Sequence, residues 1–154
     1  MSRPGGEIPG GVYEDVDFAV LLQIAGRMIA QYVEAIGKET GLAAGHLSLL
    51  GMIHRKPGLV QNAYGGILAI NTATLARYVD KLAKRGLLER ERSETDRRTV
   101  HLRLTPEGRE YIEDVAERLS GVREEMRARL PAAQIEELQA SLVAFLTAEG
   151  PGAE

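Results

Sequence analysis

The segment 71–108, NTATLARYVDKLAKRGLLERERSETDRRTVHLRLTPEG, leaves this chain few ways to fold. Asn71 or Thr72 can cap a helix, because either side chain can accept from an orphan N–H of the first turn. Leu75, Val79 and Leu82 recur at helical spacing and predict its buried face, with Thr72, Thr74, Arg77 and Lys81 on other sides. Lys84 and Arg85 suit the negative end of the helix dipole, and Gly86 is placed as a left-handed stop. Two strands follow, 88–92 and 99–104. In the second, Val100, Leu102 and Leu104 alternate with His101 and Arg103, the period of a half-buried strand. An all-polar loop, 93–98, joins them. Thr105 then caps a new helix with Pro106 at its first position and Glu107 in its first turn.

The remaining segments predict helices with narrow apolar stripes. The first starts at Asp15 or Asp17, carries Leu21, Ile24, Met28, Tyr32 and Ile36, and stops near Gly41. A second covers 46–55, with Leu47, Leu50 and Ile53–His54 inward, and Lys56-Pro57-Gly58 ends it. A short third helix is expected over 59–68, weakened by Gly65-Gly66 unless close packing compensates. The helix opened by Thr105 runs on through Ile112, Val115, Leu119, Val122 and Met126, a heptad seam that Gly121 interrupts. Beyond Pro131 a last helix carries Ile135, Leu138, Leu142 and Phe145. Such stripes must be covered. Either a homodimer interlocks its terminal helices, or one compact monomer covers them internally.

Charge is divided along the chain. The net charge of −3 is made of −1 over residues 1–71, +4 over 72–109 and −6 over 110–154. Phosphate attraction acts over a Debye length of about 8 Å, so a basic middle between acidic ends suits a nucleic-acid reader on a separate scaffold. An uneven but solvated surface gives the same numbers. There is no cysteine and no tryptophan, so the core is expected to be aliphatic, with no disulfide and no thiolate metal site. The glycine- and proline-rich start is no signal peptide, and no apolar run is expected to span a membrane. A cytoplasmic protein without cofactor is the expectation.

Helix, tight turn and basic-tipped hairpin together make a winged helix, a shape that offers a helix to the major groove of DNA and a finger to the minor groove. From about residue 18 to 145 the chain resembles the MarR family of winged-helix transcription regulators. The resemblance is carried by the helix running into Arg85-Gly86-Leu87-Leu88-Glu89-Arg90, by Asp96-Arg97-Arg98 and by Leu104-Thr105-Pro106-Glu107-Gly108. It departs at Tyr64-Gly65-Gly66, at His46, where Gln is frequent, and at Gly121.

The resemblance implies a mostly α fold with a small β-wing, a winged helix-turn-helix with N- and C-terminal dimerisation helices. The expected organisation is a disordered arm at 1–14, a helical dimerisation region at 15–41 and 105–149, the winged helix-turn-helix at 42–104 and a disordered tail at 150–154. Thr72, Ala73, Thr74 and Arg77 are the candidates for the major groove. Arg can give guanine a bidentate contact, Thr hydroxyls serve bases or phosphates, and Ala meets a thymine methyl. Lys81 and Lys84 are candidates for the DNA backbone, or else form a solvated face. In the wing, Arg98 is implied to reach the minor groove with Asp96 orienting it, and Arg97 is the second contact. A salt-bridged turn without a DNA role is the plainer reading.

The expected function is a homodimeric, sequence-specific transcriptional regulator, a repressor of a pseudo-palindromic operator on double-stranded DNA. The resemblance also implies release by a small-molecule effector, bound between dimer base and reading head near helices one, two and five. Tyr32, His46 and Arg27 are polar enough to line such a pocket, but each has an ordinary structural role, so its residues stay unassigned. A winged-helix protein-interaction module without DNA binding, or a metal-responsive regulator, are the alternatives. No enzyme is expected: neither a Ser/His/Asp order, a phosphate-binding glycine loop nor HExxH is present. His46 and His54 lie about 12 Å apart along a helix, too far to share a metal ion. A satisfied, half-buried His46 and surface positions for His54 and His101 are the expectation.

Overall fold

The computed structural model describes residues 9–92 and 99–148, save the side chains of Val122 and Met126. Turns over 10–15 lead into α1 (Phe18–Thr40), which Asp17 caps by accepting the Ala19 N–H at 2.8 Å. Then come α2 (Ala44–Arg55), α3 (Gln61–Ile67), α4 (Thr72–Lys84), β1 (Leu88–Arg92), β2 (Val100–Leu104), α5 (Pro106–Arg118), α6 (Ser120–Arg127) and α7 (Ala132–Thr147). The fold is mostly α with one two-stranded antiparallel wing, in register from Leu88↔Leu104 to Arg92↔Val100.

The core belongs to the middle of the chain. Leu47, Leu49, Leu50 and Ile53 of α2 meet Leu75, Val79 and Leu82 of α4, Leu88 and Leu102 of the wing, and Ile112 and Val115 of α5. It is aliphatic except for Tyr64, fully buried, whose hydroxyl donates to the Lys56 carbonyl at 2.7 Å. Burial alone would strand that hydroxyl; the bond to the end of α2 satisfies it.

The turn after α4 organises the rest of the head. Gly86 takes φ +69, the Leu87 N–H reaches the Leu82 carbonyl at 3.1 Å and the Gly86 N–H reaches Ala83 at 3.0 Å. This is the Schellman closure of a helix. Thr105 then donates its hydroxyl to the Gly86 carbonyl at 2.6 Å while accepting the Gly108 N–H at 3.0 Å. A Cβ on Gly108 would come within 1.9 Å of the Leu87 carbonyl oxygen. The Arg-Gly-Leu and Thr-Pro-Glu-Gly pieces are therefore two halves of one joint.

Three expectations change in detail. Helix α2 begins at Ala44, two residues before His46, with Ala43 as a cap that offers no side-chain bond. Helix α3 is shorter than 59–68, since Val60 instead bridges His101 at the wing root. The long C-terminal helix breaks at Leu119. There the Ser120 hydroxyl and the Arg123 guanidinium take the carbonyls of Glu117 and Ala116 at 2.5 and 2.6 Å, which draws those carbonyls away from the helical ladder.

The terminal helices are covered least. In α1 only Gly37 is buried, and α7 buries no residue. Phe18 and Phe145 are each 62% exposed and Leu146 76%. The single chain does not cover its own stripes. Against the sequence expectation, α1 is long and apolar enough by length and composition to cross a membrane. However, Gln23, Arg27, Gln31, Glu34 and Lys38 interleave with its apolar residues. Its end is also tied into the head. Arg85 donates to the Thr40 carbonyl at 2.6 Å, Tyr111 to the Thr40 hydroxyl at 2.5 Å, and Arg118 pairs with Glu39 at 2.8 Å.

Candidate nucleic-acid interface

Helices α3 and α4 meet at a tight turn, and Asn71 starts α4 by accepting the Thr74 N–H at 2.8 Å. At about 100° per residue, Thr74, Arg77, Lys81 and Lys84 form one stripe nearly opposite the buried Leu75, Val79 and Leu82. Arg77, Lys81 and Lys84 are exposed, and Thr74 is half-buried. Arg77 donates to the Thr74 hydroxyl at 3.3 Å, so the two lie together on the outer face. Ala73 borders the stripe; Thr72 stands off it, exposed at the helix tip. Asp96, Arg97 and Arg98 lie outside the described residues. The strands that flank them are paired up to Arg92 and Val100.

Sequence reasoning missed the tie that sets α4 against the wing. Arg90 of β1 pairs with Asp80 of α4 at 2.6 Å and donates to Gln61 of α3 at 3.3 Å. One guanidinium thus spans both helices of the helix-turn-helix and the first wing strand. Arg85 takes a different role from its helical neighbours, since its guanidinium closes the end of α1. At the wing root Arg103 and Glu91 form a short ion pair across the strands.

The histidines depart from expectation. His46 packs on Tyr78 with ring centroids 4.5 Å apart, but its Nδ1 is buried with no partner in full hydrogen-bond geometry. Burial, with the Lys81 charge adding to it, outweighs the pull of the Ala43 backbone and holds its pKa below the ordinary 6.5. Gly45 permits that packing, for a Cβ there would stand 2.4 Å from the Tyr78 hydroxyl. His54 is half-buried rather than a surface residue, and its Nδ1 also lacks a partner. His101 is half-buried too, with Nδ1 2.9 Å from the Gly58 carbonyl. Among the described residues no group of three His, Asp or Glu is placed to hold a metal ion.

A cavity of about 360 Å³ lies among α1, α2 and α5, walled by Val33, Leu47, Met52, Ile112, Val115 and Leu119, with Arg55 and Arg123 also on its lining. Arg123 is engaged by the Ala116 carbonyl. Tyr32 lines a smaller space of about 210 Å³ between α1 and the end of α6, and neither His46 nor Arg27 lines either cavity.

Residues 42–100 match the model of the MarR family. A protein named as a regulator of the hcr operon in Thauera aromatica is 28% identical over 104 residues, which span 68% of this chain and 63% of that relative's length. Among solved structures, CouR from Rhodococcus jostii RHA1, bound to p-coumaroyl-CoA, superposes with a TM-score of 0.78 at 21% identity, covering 92% of this chain and 99% of that one. The S. aureus MepR–DNA complex superposes with a TM-score of 0.72 at 18% identity, covering 85% of this chain and 97% of that one. These two likenesses are likenesses of fold.

Proposed function

We propose that this chain, whose residues 42–100 match the model of the MarR family, acts as a homodimeric DNA-binding transcriptional regulator, a repressor eased off its operator by a small molecule. The observation that carries the reading is the stripe of half-buried Thr74 and exposed Arg77, Lys81 and Lys84 on a helix whose start, finish and tilt are each tied down. A cationic rod held rigidly beside a wing suits the major groove, with Thr72, Ala73, Thr74 and Arg77 nearest the bases and Lys81 and Lys84 on phosphates. Asp96, Arg97 and Arg98 are the wing contacts. A family of regulators, not of enzymes, is the setting for this chemistry.

Pairing through 15–41 and 105–149 would cover the apolar stripes of α1 and α7. It would also present two reading heads, 42–104, to half-sites about 34 Å apart. The fold shared with MepR, solved on DNA, supports that arrangement. The α1–α2–α5 cavity is the effector site of this reading. Its apolar walls and rim arginines suit an aromatic or acyl acid, and CouR, of the same fold, is solved with p-coumaroyl-CoA. Because the target is the chromosome, the place of action is the cytoplasm.

The test is duplex binding by the full chain over a salt series, on duplexes selected from random DNA. Affinity should fall with log salt by a slope of about −0.9 per phosphate neutralised. Arg98→Ala should weaken all duplexes alike, whereas Arg77→Ala should also relax preference at one position per half-site. Absence of duplex binding at low salt would leave a protein-interaction module as the better account.

A further inference from the structure

Up to Arg118, α5 is joined to the reading head at successive turns. Ile112 and Val115 lie in its core. The Tyr111 hydroxyl donates to that of Thr40, and Arg118 reaches both Asp114 and Glu39 at 2.8 Å. Leu119 is the last described residue packed against that core. Beyond it no described residue is buried: Ser120, Ile135 and Leu142 are half-buried and the rest are exposed. Packing among the described side chains therefore does not impose the direction in which α6 leaves. Nor does crowding. A Cβ on Gly121 would meet nothing within 4 Å, and a space of about 210 Å³ lies between the end of α6 and the middle of α1.

What the structure places at the break is a pair of side chains. In an unbroken helix the carbonyls of Ala116 and Glu117 would accept from the N–H groups of Ser120 and Gly121. Here the Arg123 guanidinium donates to Ala116 at 2.6 Å and the Ser120 hydroxyl to Glu117 at 2.5 Å. On either side the ladder is regular: the Leu119 N–H meets the Val115 carbonyl and the Arg123 N–H the Leu119 carbonyl, each at 3.0 Å. Arg123 reaches seven residues back across the break, so its bond holds only over a narrow range of angles there. A side chain inserted into the ladder is a known cause of a sharp bend.

We infer that Ser120 and Arg123 are positioning residues. By fixing the bend between α5 and α6 they set how far apart two paired copies hold their reading heads, and so which half-site spacing the pair accepts. This rests on the proposed pairing through 15–41 and 105–149. Helix α1 travels with the head, through Thr40 and Glu39, so the bend orients α6 and α7, the other part of the pairing surface, against it. The arm is long enough to matter. The 13 residues of α5 run about 20 Å, so a turn of about 10° at the break carries the far end of α5 by about 3.4 Å, the rise of one base pair. Each copy has its own bend, so both half-sites feel the change.

The experiment varies spacing against the bend. The full-length protein binds duplexes carrying two copies of its selected half-site, with centres moved apart or together by one or two base pairs, and a duplex carrying one copy. Wild type should prefer one spacing by about tenfold or more, because joined heads lose their shared gain when geometry forbids joint engagement. Ser120→Ala with Arg123→Met removes both donors and favours helix at 120. It should cut the preference below about threefold or move it to another spacing, with single-site affinity within about twofold. Ser120→Thr with Arg123→Lys, which keeps both donors, should retain the preference, as should Arg127→Met, which controls for lost charge on the same helix. The chain has no cysteine, so Lys56→Cys, at the exposed end of α2, accepts one spin label per head. The label-to-label distance without DNA should broaden or shift by about 3 Å or more in the Ala/Met variant, about one base-pair step. Either readout unchanged in that variant would overturn the inference and leave the regulator reading in place, as would a wild type with no preferred spacing. Loss of the label distance in the Ala/Met variant alone would overturn it too, by making the two residues part of the pairing itself. No duplex binding or no label distance in wild type would strike down the reading beneath, and the inference with it.

Discussion

Ala69 holds φ at +51 in the turn between α3 and α4, where a Cβ is unfavourable by about 1–2 kcal/mol. Nothing in its neighbourhood of sequence marks it, because the strain follows from the carbonyls of Gly65 and Gly66 drawing in the N–H groups of Ile70 and Ala69 at 3.0 and 3.1 Å. Ala69→Gly should stabilise the fold by up to about 1 kcal/mol, once the extra freedom of glycine in the unfolded chain is subtracted. A urea midpoint that falls instead would contradict this. His46 makes a pH prediction. Its pKa is depressed in the fold, so below its ordinary 6.5 the unfolded chain takes the proton first. The stability tied to the neutral ring is then present above pH 6.5 and is lost as pH falls through the depressed value. The stability difference between wild type and His46→Gln should shift against wild type between pH 7.5 and 5, measured by urea unfolding. A difference that stays constant with pH would remove the argument.

At the scale of elements, caps were legible because they are local. Asp17, Asn71 and Thr105 each bond an N–H two or three residues on, and a short motif suffices to announce that. The break at Leu119 was legible only as an interruption at Gly121; its cause was not, since Ser120 and Arg123 read as ordinary surface positions until their side chains are seen on backbone carbonyls. Helix α3 raised a question about its two glycines that packing now answers differently for each. A Cβ on Gly65 would stand 3.3 Å from both the Ile70 carbonyl oxygen and a Leu75 methyl, whereas one on Gly66 would meet nothing within 4 Å. Close approach accounts for the first glycine; the second is exposed in the last turn of the helix. Gly66→Ala should therefore stabilise by about 0.5–1 kcal/mol, and Gly65→Ala should destabilise because backbone cannot give way. Opposite shifts in urea midpoint would bear this out, and equal gains from both would refute it.

At the scale of the whole molecule, periodicity exposed the α4 stripe but could not reveal what holds it. Arg90 finds Asp80 ten residues away and Gln61 twenty-nine away, and Arg85 finds Thr40 forty-five away. Such partners meet only when the chain is folded. The terminal stripes lead furthest. On the described helices Phe18, Leu138, Val143, Phe145 and Leu146 stand exposed, apolar surface of the kind that a standard interface, roughly 800 Å² per partner, covers. Phe145 and Leu146 are exposed on α7, so a charge there should spare the folding of the single chain while removing apolar surface that a second copy would cover. Sedimentation should give the wild type twice 16.8 kDa, and Phe145→Asp with Leu146→Asp should move it toward one copy with an unchanged helical spectrum. Because two joined heads bind as one, the same variant should lose about a hundredfold or more in affinity for a two-half-site duplex, yet little for a single half-site. A wild type that sediments as one copy, or a variant that becomes single and keeps full duplex affinity, would end the dimer account.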